Sequence, residues 1–190
     1  PPVDESGPFG YLAEKASTNF WPYSASYDLA VVGGSTFVVK ASLASASILC
    51  PDGTIGGAVI TQTVAGTSYV GKGNLNGVVS GNTYTLSAYI KAGSATEVRF
   101  YETGSSGKYT NFNLLNDSII SSTGSSATIT DVGNGWKRCS HTQLYAAGSF
   151  YMSWGLLSGT VGQDFYIWGA QVELGTYPTS YIPTTTTTVL

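Results

Sequence analysis

Three stretches of the chain alternate apolar and polar residues with the two-residue period of a strand that buries one face. In Tyr84-Thr85-Leu86-Ser87-Ala88-Tyr89-Ile90-Lys91, the apolar set is Tyr84, Leu86, Ala88 and Ile90, and Thr85, Ser87, Tyr89 and Lys91 fall on the other side. Glu97 to Tyr101 turns Val98 and Phe100 inward and Arg99 and Tyr101 outward. Phe150, Met152 and Trp154 alternate with Tyr151, Ser153 and Gly155 in the same way. Residues 136–145 and 165–173 also read as strands, but bulky side chains on both sides leave their core face undetermined. Further strands are expected within 36–43 and 58–70. Turn clusters at 81–82, 104–107, 124–126, 133–135 and Gly148 punctuate these runs at short intervals, the mark of an antiparallel all-β sandwich or barrel. No segment carries a helical period. Residues 20–30, with Trp21, Pro22, Tyr23 and Tyr27, read as an irregular packed segment. No linker divides the chain, so the expected organisation is one domain over 1–190 ending in a Thr-rich arm over 184–190. The β-branched run 184–188 favours an extended arm, paired with a neighbour or frayed.

Composition agrees with strands. Only 10% of the residues are charged, against roughly 25% in an average soluble protein. Ser and Thr make up about a quarter of the chain. Yet 42% is hydrophobic and 13% aromatic, including 13 Tyr, which excludes a disordered chain. A helix bundle would need Ala, Glu, Lys and Leu in place of Ser, Thr, Gly and Tyr. No apolar run approaches the roughly 20 residues that span a bilayer, so no membrane insertion is expected. The opening Pro1-Pro2-Val3-Asp4-Glu5 lacks a basic-then-apolar leader layout, although a leader already removed stays open. With a net charge of −3 and a pI near 4.9 there is no basic footprint for nucleic acid.

The residues for chemistry are few. Cys50 and Cys139 lie far apart and read as two small buried hydrophobes rather than a disulfide. Two Cys and one His do not make a zinc site. His141, the one histidine, sits in a strand with no carboxylate nearby in sequence, so it reads as a packing or surface residue, dispensable for any reaction. No pair among the eleven acidic residues is nominated for glycoside hydrolysis. Val32-Gly33-Gly34-Ser35 lacks the lysine and helix of a phosphate-binding loop. No catalytic residue is assigned, and the chain is expected not to be an enzyme. The outward aromatics say more. Tyr89, Lys91, Arg99, Tyr101 and Tyr151 all oppose core residues in parity. Aromatic faces flanked by hydrogen-bonding groups stack on sugar rings or bury against a protein partner. The alternative is that these tyrosines cover another loop or a neighbouring subunit.

Four segments resemble a known family. Tyr11 to Phe20 looks like the GLLIEPARTNL opening of many bacteriophage virion domains, and Tyr84 to Gly93 is similar to their YTFSVYLKAG strand. Asp131-Val132-Gly133-Asn134-Gly135-Trp136-Lys137-Arg138-Cys139-Ser140 resembles DVGNGWYRCS. Tyr166-Ile167-Trp168-Gly169-Ala170-Gln171-Val172-Glu173, then Tyr177-Pro178-Thr179-Ser180-Tyr181-Ile182-Pro183-Thr184, resembles YIWGAQLE and FPTSYIPT. Their order covers almost the whole chain. The resemblance implies a jelly-roll β-sandwich like a carbohydrate-binding module, carried on head fibres, head spikes or tail proteins of a virion assembled in the host cytoplasm. The expected partners are other virion proteins of capsid or tail, cell-surface or environmental glycans, and further copies of the chain, with a trimer favoured because weak sites gain avidity when linked.

Departures from the family pattern also carry meaning. Lys15 and Ser17 stand where the family commonly has Pro and Arg, so an ion pair made by that Arg is missing. Related carbohydrate modules often carry final-strand aspartates that help hold structural calcium, and here the matching Trp168-Gly169 has no carboxylate. No cofactor is therefore expected, with Asp4, Glu5, Glu14 and Asp164 as the remaining oxygen donors for a calcium ion. Two other readings stand beside the display module. A carbohydrate-binding module of an enzyme system would differ in genomic neighbours and would not sediment with particles. A purely structural capsid cement would bind no glycan.

Overall fold

The computed structural model describes residues 14–27, 35–102, 107–146 and 150–185. Asp4, Glu5, Tyr11 to Ala13, Gly33, Gly34, the turn residues Gly104 to Ser106, Gly148 and the arm beyond Thr185 lie outside them. Twelve strands form two six-stranded antiparallel sheets. The first runs β1 (Ser35–Val39), β4 (Tyr69–Gly73), β11 (Tyr151–Gly155), β6 (Glu97–Glu102), β7 (Tyr109–Asn113), β8 (Ser118–Ser122). The second runs β2 (Ala41–Leu49), β3 (Ile55–Gln62), β12 (Asp164–Leu174), β5 (Thr83–Ala92), β10 (Trp136–Leu144), β9 (Ser126–Gly133). The chain crosses repeatedly between sheets, giving the jelly-roll β-sandwich expected. No helix occurs among the described residues.

The inner faces meet over Leu86, Ile90, Val98, Phe100, Met152 and Trp154, each nearly inaccessible, with Tyr84 and Phe150 at one end. Parity within these strands therefore holds as the alternation requires. Lys72 and Glu102 are also buried on this face, flanking Met152 in register. Trp21 and Tyr27 from the irregular segment are buried and stacked, 5.2 Å between centroids. The expected strand over 36–43 is two strands. Lys40 adopts φ 55° between β1 and β2 and lets the chain leave one sheet for the other.

β10 and β12 resist phasing for two physical reasons. In β12 the register shifts between Trp168 and Gln171, where Gly169 takes φ 62°, so Trp168 and Gln171 both face outward despite their odd spacing. Moreover, residues 19–24 and 179–184 pack over the outer face of the second sheet. Asn19 Nδ2 donates to the carbonyls of Ala170 (3.2 Å) and Ile182 (2.9 Å), and its Oδ1 accepts from the amides of Trp21 and Val172. Thr184 Oγ1 donates to Trp21 O (2.6 Å), so the start of the expected arm is buried and tied down.

Cys139 lies between the sheets and Cys50 on the far side of the second sheet, packed with Trp136 and Trp168; both are free. Burial, with Asp52 adding to it, pushes the Cys50 thiol up to about 11, so it stays protonated and unreactive.

Candidate functional site

The five outward residues do not share one face. Tyr89 and Lys91 belong to β5 in the second sheet, whereas Arg99, Tyr101 and Tyr151 belong to β6 and β11 in the first. The outer faces of a sandwich point in opposite directions, so the single tyrosine surface expected from parity is corrected to two surfaces. Alternation fixes which side of its own sheet a residue takes and says nothing of which sheet that is.

On the second sheet the two side chains have structural partners. Tyr89 packs against Trp168 (5.2 Å) and Tyr181 (6.3 Å), beneath the segment that follows β12, and Arg138 lies over its ring at 5.4 Å. Burial raises the Tyr89 phenol, and pushes that of Tyr181 up to about 12. Lys91 Nζ donates to Asn134 O at 2.7 Å, fastening the β9–β10 turn, in which Gly133, Asn134 and Gly135 all take positive φ.

On the first sheet a different set converges. Register places Gly155, Arg99 and Asn111 in one outward row and Ser153, Tyr101 and Tyr109 in the next. Tyr69 stacks on Tyr101 at 5.2 Å, across β11. That closure is possible because the intervening outward residues are Ser153 and Gly155. A Cβ at Gly155 would lie 1.9 Å from Ser68 O, so only glycine fits there. The Arg99 guanidinium lies 4.1 Å from the Tyr109 ring centre and 5.2 Å from that of Tyr101. Tyr151 lies over Gly73, where a Cβ would come within 2.0 Å of its ring. The side chains of Tyr69, Arg99, Tyr101, Tyr109 and Tyr151 are all half-buried. Beside them opens a cleft of about 260 Å³ between the start of β6 and the loop after β11, lined in part by Glu97, Asn111, Leu156 and Gln163.

Of the residues singled out from sequence, Arg99, Tyr101 and Tyr151 thus lie together. Tyr69, Tyr109 and Asn111 complete the group and were missed. The sequence signal for Tyr109 is the Gly-Ser turn cluster at 104–107 between two strands, and Tyr109 pairs with Tyr101 in register.

The remaining oxygen donors are engaged or outside the described residues. Asp164 Oδ1 accepts from Ser94 N (2.8 Å) and Ser94 Oγ (2.7 Å), which holds its carboxyl below the usual range. Glu14 Oε2 accepts from Ser180 N at 2.8 Å. His141 is buried between the sheets, bonded to Thr110 and Gln143, away from both outer faces.

No protein-family model and no curated protein matches the sequence. Among solved structures, the chain is similar to the enzymatically active domain of tailspike protein 4 of bacteriophage CBA120 (11% identity, TM-score 0.49, 82% of this chain and 21% of that one). It is similar to a CBM4 module (16% identity, TM-score 0.45, 78% of this chain and 92% of that one). A third is the CBM22-1–GH10 portion of xylanase 10B of Clostridium thermocellum, solved with xylohexaose (15% identity, TM-score 0.49, 87% and 29%). The chain spans about a fifth of the tailspike chain and under a third of the xylanase chain.

Proposed function

We propose that this chain is a non-enzymatic display module of a bacteriophage particle, holding glycans on the outer face of its first sheet. The observation that carries the glycan reading is the outward cluster of Tyr69, Tyr101, Tyr109 and Arg99 beside an open cleft. Aromatic rings next to hydrogen-bonding groups suit a pyranose, which offers one apolar face to stack and several hydroxyls to bond. The virion reading is supported by the four sequence motifs, in family order along the chain. On this reading the partners are other proteins of the capsid or tail and further copies of the chain as a homo-oligomer, with a trimer favoured.

A glycan array read with the parent protein and the variant Tyr101→Ala tests the binding half. Loss of one stacked ring, worth about 0.5–1.5 kcal/mol, is expected to weaken glycan binding about three- to tenfold while the fold is retained and the melting temperature falls by only about 2–4 °C. Tyr89→Ala is expected to destabilise the fold and leave intrinsic affinity intact, because Tyr89 packs under Tyr181. An array with no bound glycan would remove the glycan reading and leave the cement role. Cryo-electron imaging of whole particles tests the location, and absence of this density from capsid and tail alike would overturn it.

A further inference from the structure

We infer that the glycan taken by this face is acidic and that Arg99 binds its carboxylate; the inference rests on the glycan reading above. The chain has two arginines. Arg138 is structural, donating through Nη2 to Thr179 O. Arg99 makes no hydrogen bond and no ion pair among the described residues, and its Nε is enclosed without an acceptor. The rings of Tyr101 and Tyr109 engage the guanidinium. Contact with two rings restrains the guanidinium while its N–H groups have no acceptor among the described residues. A fixed planar fork of donors is the complement of a carboxylate, which it grips through two parallel bonds. Neutral sugar hydroxyls would use such a fork poorly.

Asn111 adds the neighbouring element. It pairs with Arg99 in register, is 8% exposed, and spends its Nδ2 on Ser121 Oγ (2.9 Å). Its Oδ1 is enclosed without a donor. A donor fork beside aromatic rings matches a sugar ring that carries a carboxylate, as uronic and sialic acids do. Glu97 faces outward two residues from Arg99 and lines the cleft. Its charge disfavours the carboxylate at the cleft end and directs it toward Tyr101 and Tyr109.

Calorimetric titration with matched probes tests this: polygalacturonate against its methyl ester, sialyllactose against lactose, and dextran sulfate against dextran. At least one carboxylate probe is expected to bind about tenfold or more tightly than its neutral partner. Arg99→Gln is expected to erase that preference, bringing each acid probe to the affinity of its neutral partner. Arg99→Lys is expected to restore it only in part, because an ammonium keeps the charge and loses the fork. Equal binding of acid and neutral forms, still sensitive to Tyr101→Ala, would overturn the inference and leave the glycan reading standing. Preference for the sulfate probe over both carboxylates would overturn the carboxylate assignment. No binding of any probe, on this panel and on the array, would overturn both. Thermal melts of each variant exclude misfolding as the cause.

Discussion

Replacing Glu173 by alanine is expected to lower the unfolding free energy by about 3–4 kcal/mol, more than losing any residue of the proposed binding face. Glu173 is fully buried on the outer side of the second sheet. Its carboxylate accepts from Thr179 N and Thr179 Oγ1 through Oε1 and from Gln171 Nε2 (2.9 Å) through Oε2. Gln171 Oε1 in turn accepts from Ile182 N, and Arg138 donates to Thr179 O. Alanine leaves three buried donors without an acceptor, at about 1–3 kcal/mol each before relaxation and water entry. Glu173→Gln keeps one acceptor oxygen and sets an amide donor against another donor, so about half the loss is expected. Denaturant unfolding of both variants is the measurement. A Glu173→Ala protein within 1 kcal/mol of the parent would show that the segment 176–184 is held without this carboxylate.

This network explains what the recognisable motifs do in the structure. The stretches around Asn19, Gln171 to Glu173 and Thr179 to Thr184 build the clamp that binds residues 19–24 and 179–184 over the second sheet, and Trp136 ties β10 to Leu49 O of β2. The aromatic face lies on the opposite side of the sandwich. Motifs that specify a scaffold thus recognise the fold and leave its ligand unspecified.

The central strands were legible because β5, β6 and β11 contrast apolar and polar positions sharply, with Leu86, Phe100 and Trp154 buried and Lys91, Arg99 and Tyr151 outward. β8 and β9 were not. They form the paired edge of the sandwich, so residues such as Ile120 and Val132 stay exposed, and the inward alternation of β9, Ala127 and Ile129, is short and only half-buried. β7 hides for another reason: Thr110, facing inward, is buried against His141 and Ser122 and reads as polar. At the candidate site, parity placed Arg99, Tyr101 and Tyr151 outward. Sheet membership decided which of them meet, and it depends on the crossover between β5 and β6, which carries no period.

Lowering the pH from 7 to 4 is expected to remove about 3 kcal/mol of stability through His141 alone. The imidazole lies in β10 between the sheets, 4.7 Å from the Phe100 ring. Nε2 donates to Gln143 Oε1 (3.0 Å), which makes Nδ1 the acceptor of the Thr110 hydroxyl (2.7 Å) and fixes the neutral tautomer. Burial holds its pKa down, from 6.5 to about 4, outweighing the opposing bond to Gln143. Above pH 6.5 both folded and unfolded chains carry a neutral ring, and the group leaves stability unchanged. Between 6.5 and about 4 the unfolded chain takes up a proton that the folded chain refuses, so stability falls as pH falls. Below about 4 both states are protonated and the loss levels off. At 1.36 kcal/mol per pH unit the window amounts to about 3 kcal/mol. Asp131 and Asp164, whose carboxyls sit below their ordinary value, add their own loss chiefly below pH 4. The window itself therefore belongs to the histidine. Urea unfolding at pH 7, 6, 5 and 4 on the parent and on His141→Gln separates the two. The parent is expected to lose stability with a midpoint near pH 5, and the variant, less stable at pH 7, to stay level across the window. An equal slope in both proteins would mean that the imidazole is solvated or protonated in the folded state, contrary to its place between Phe100 and Thr110.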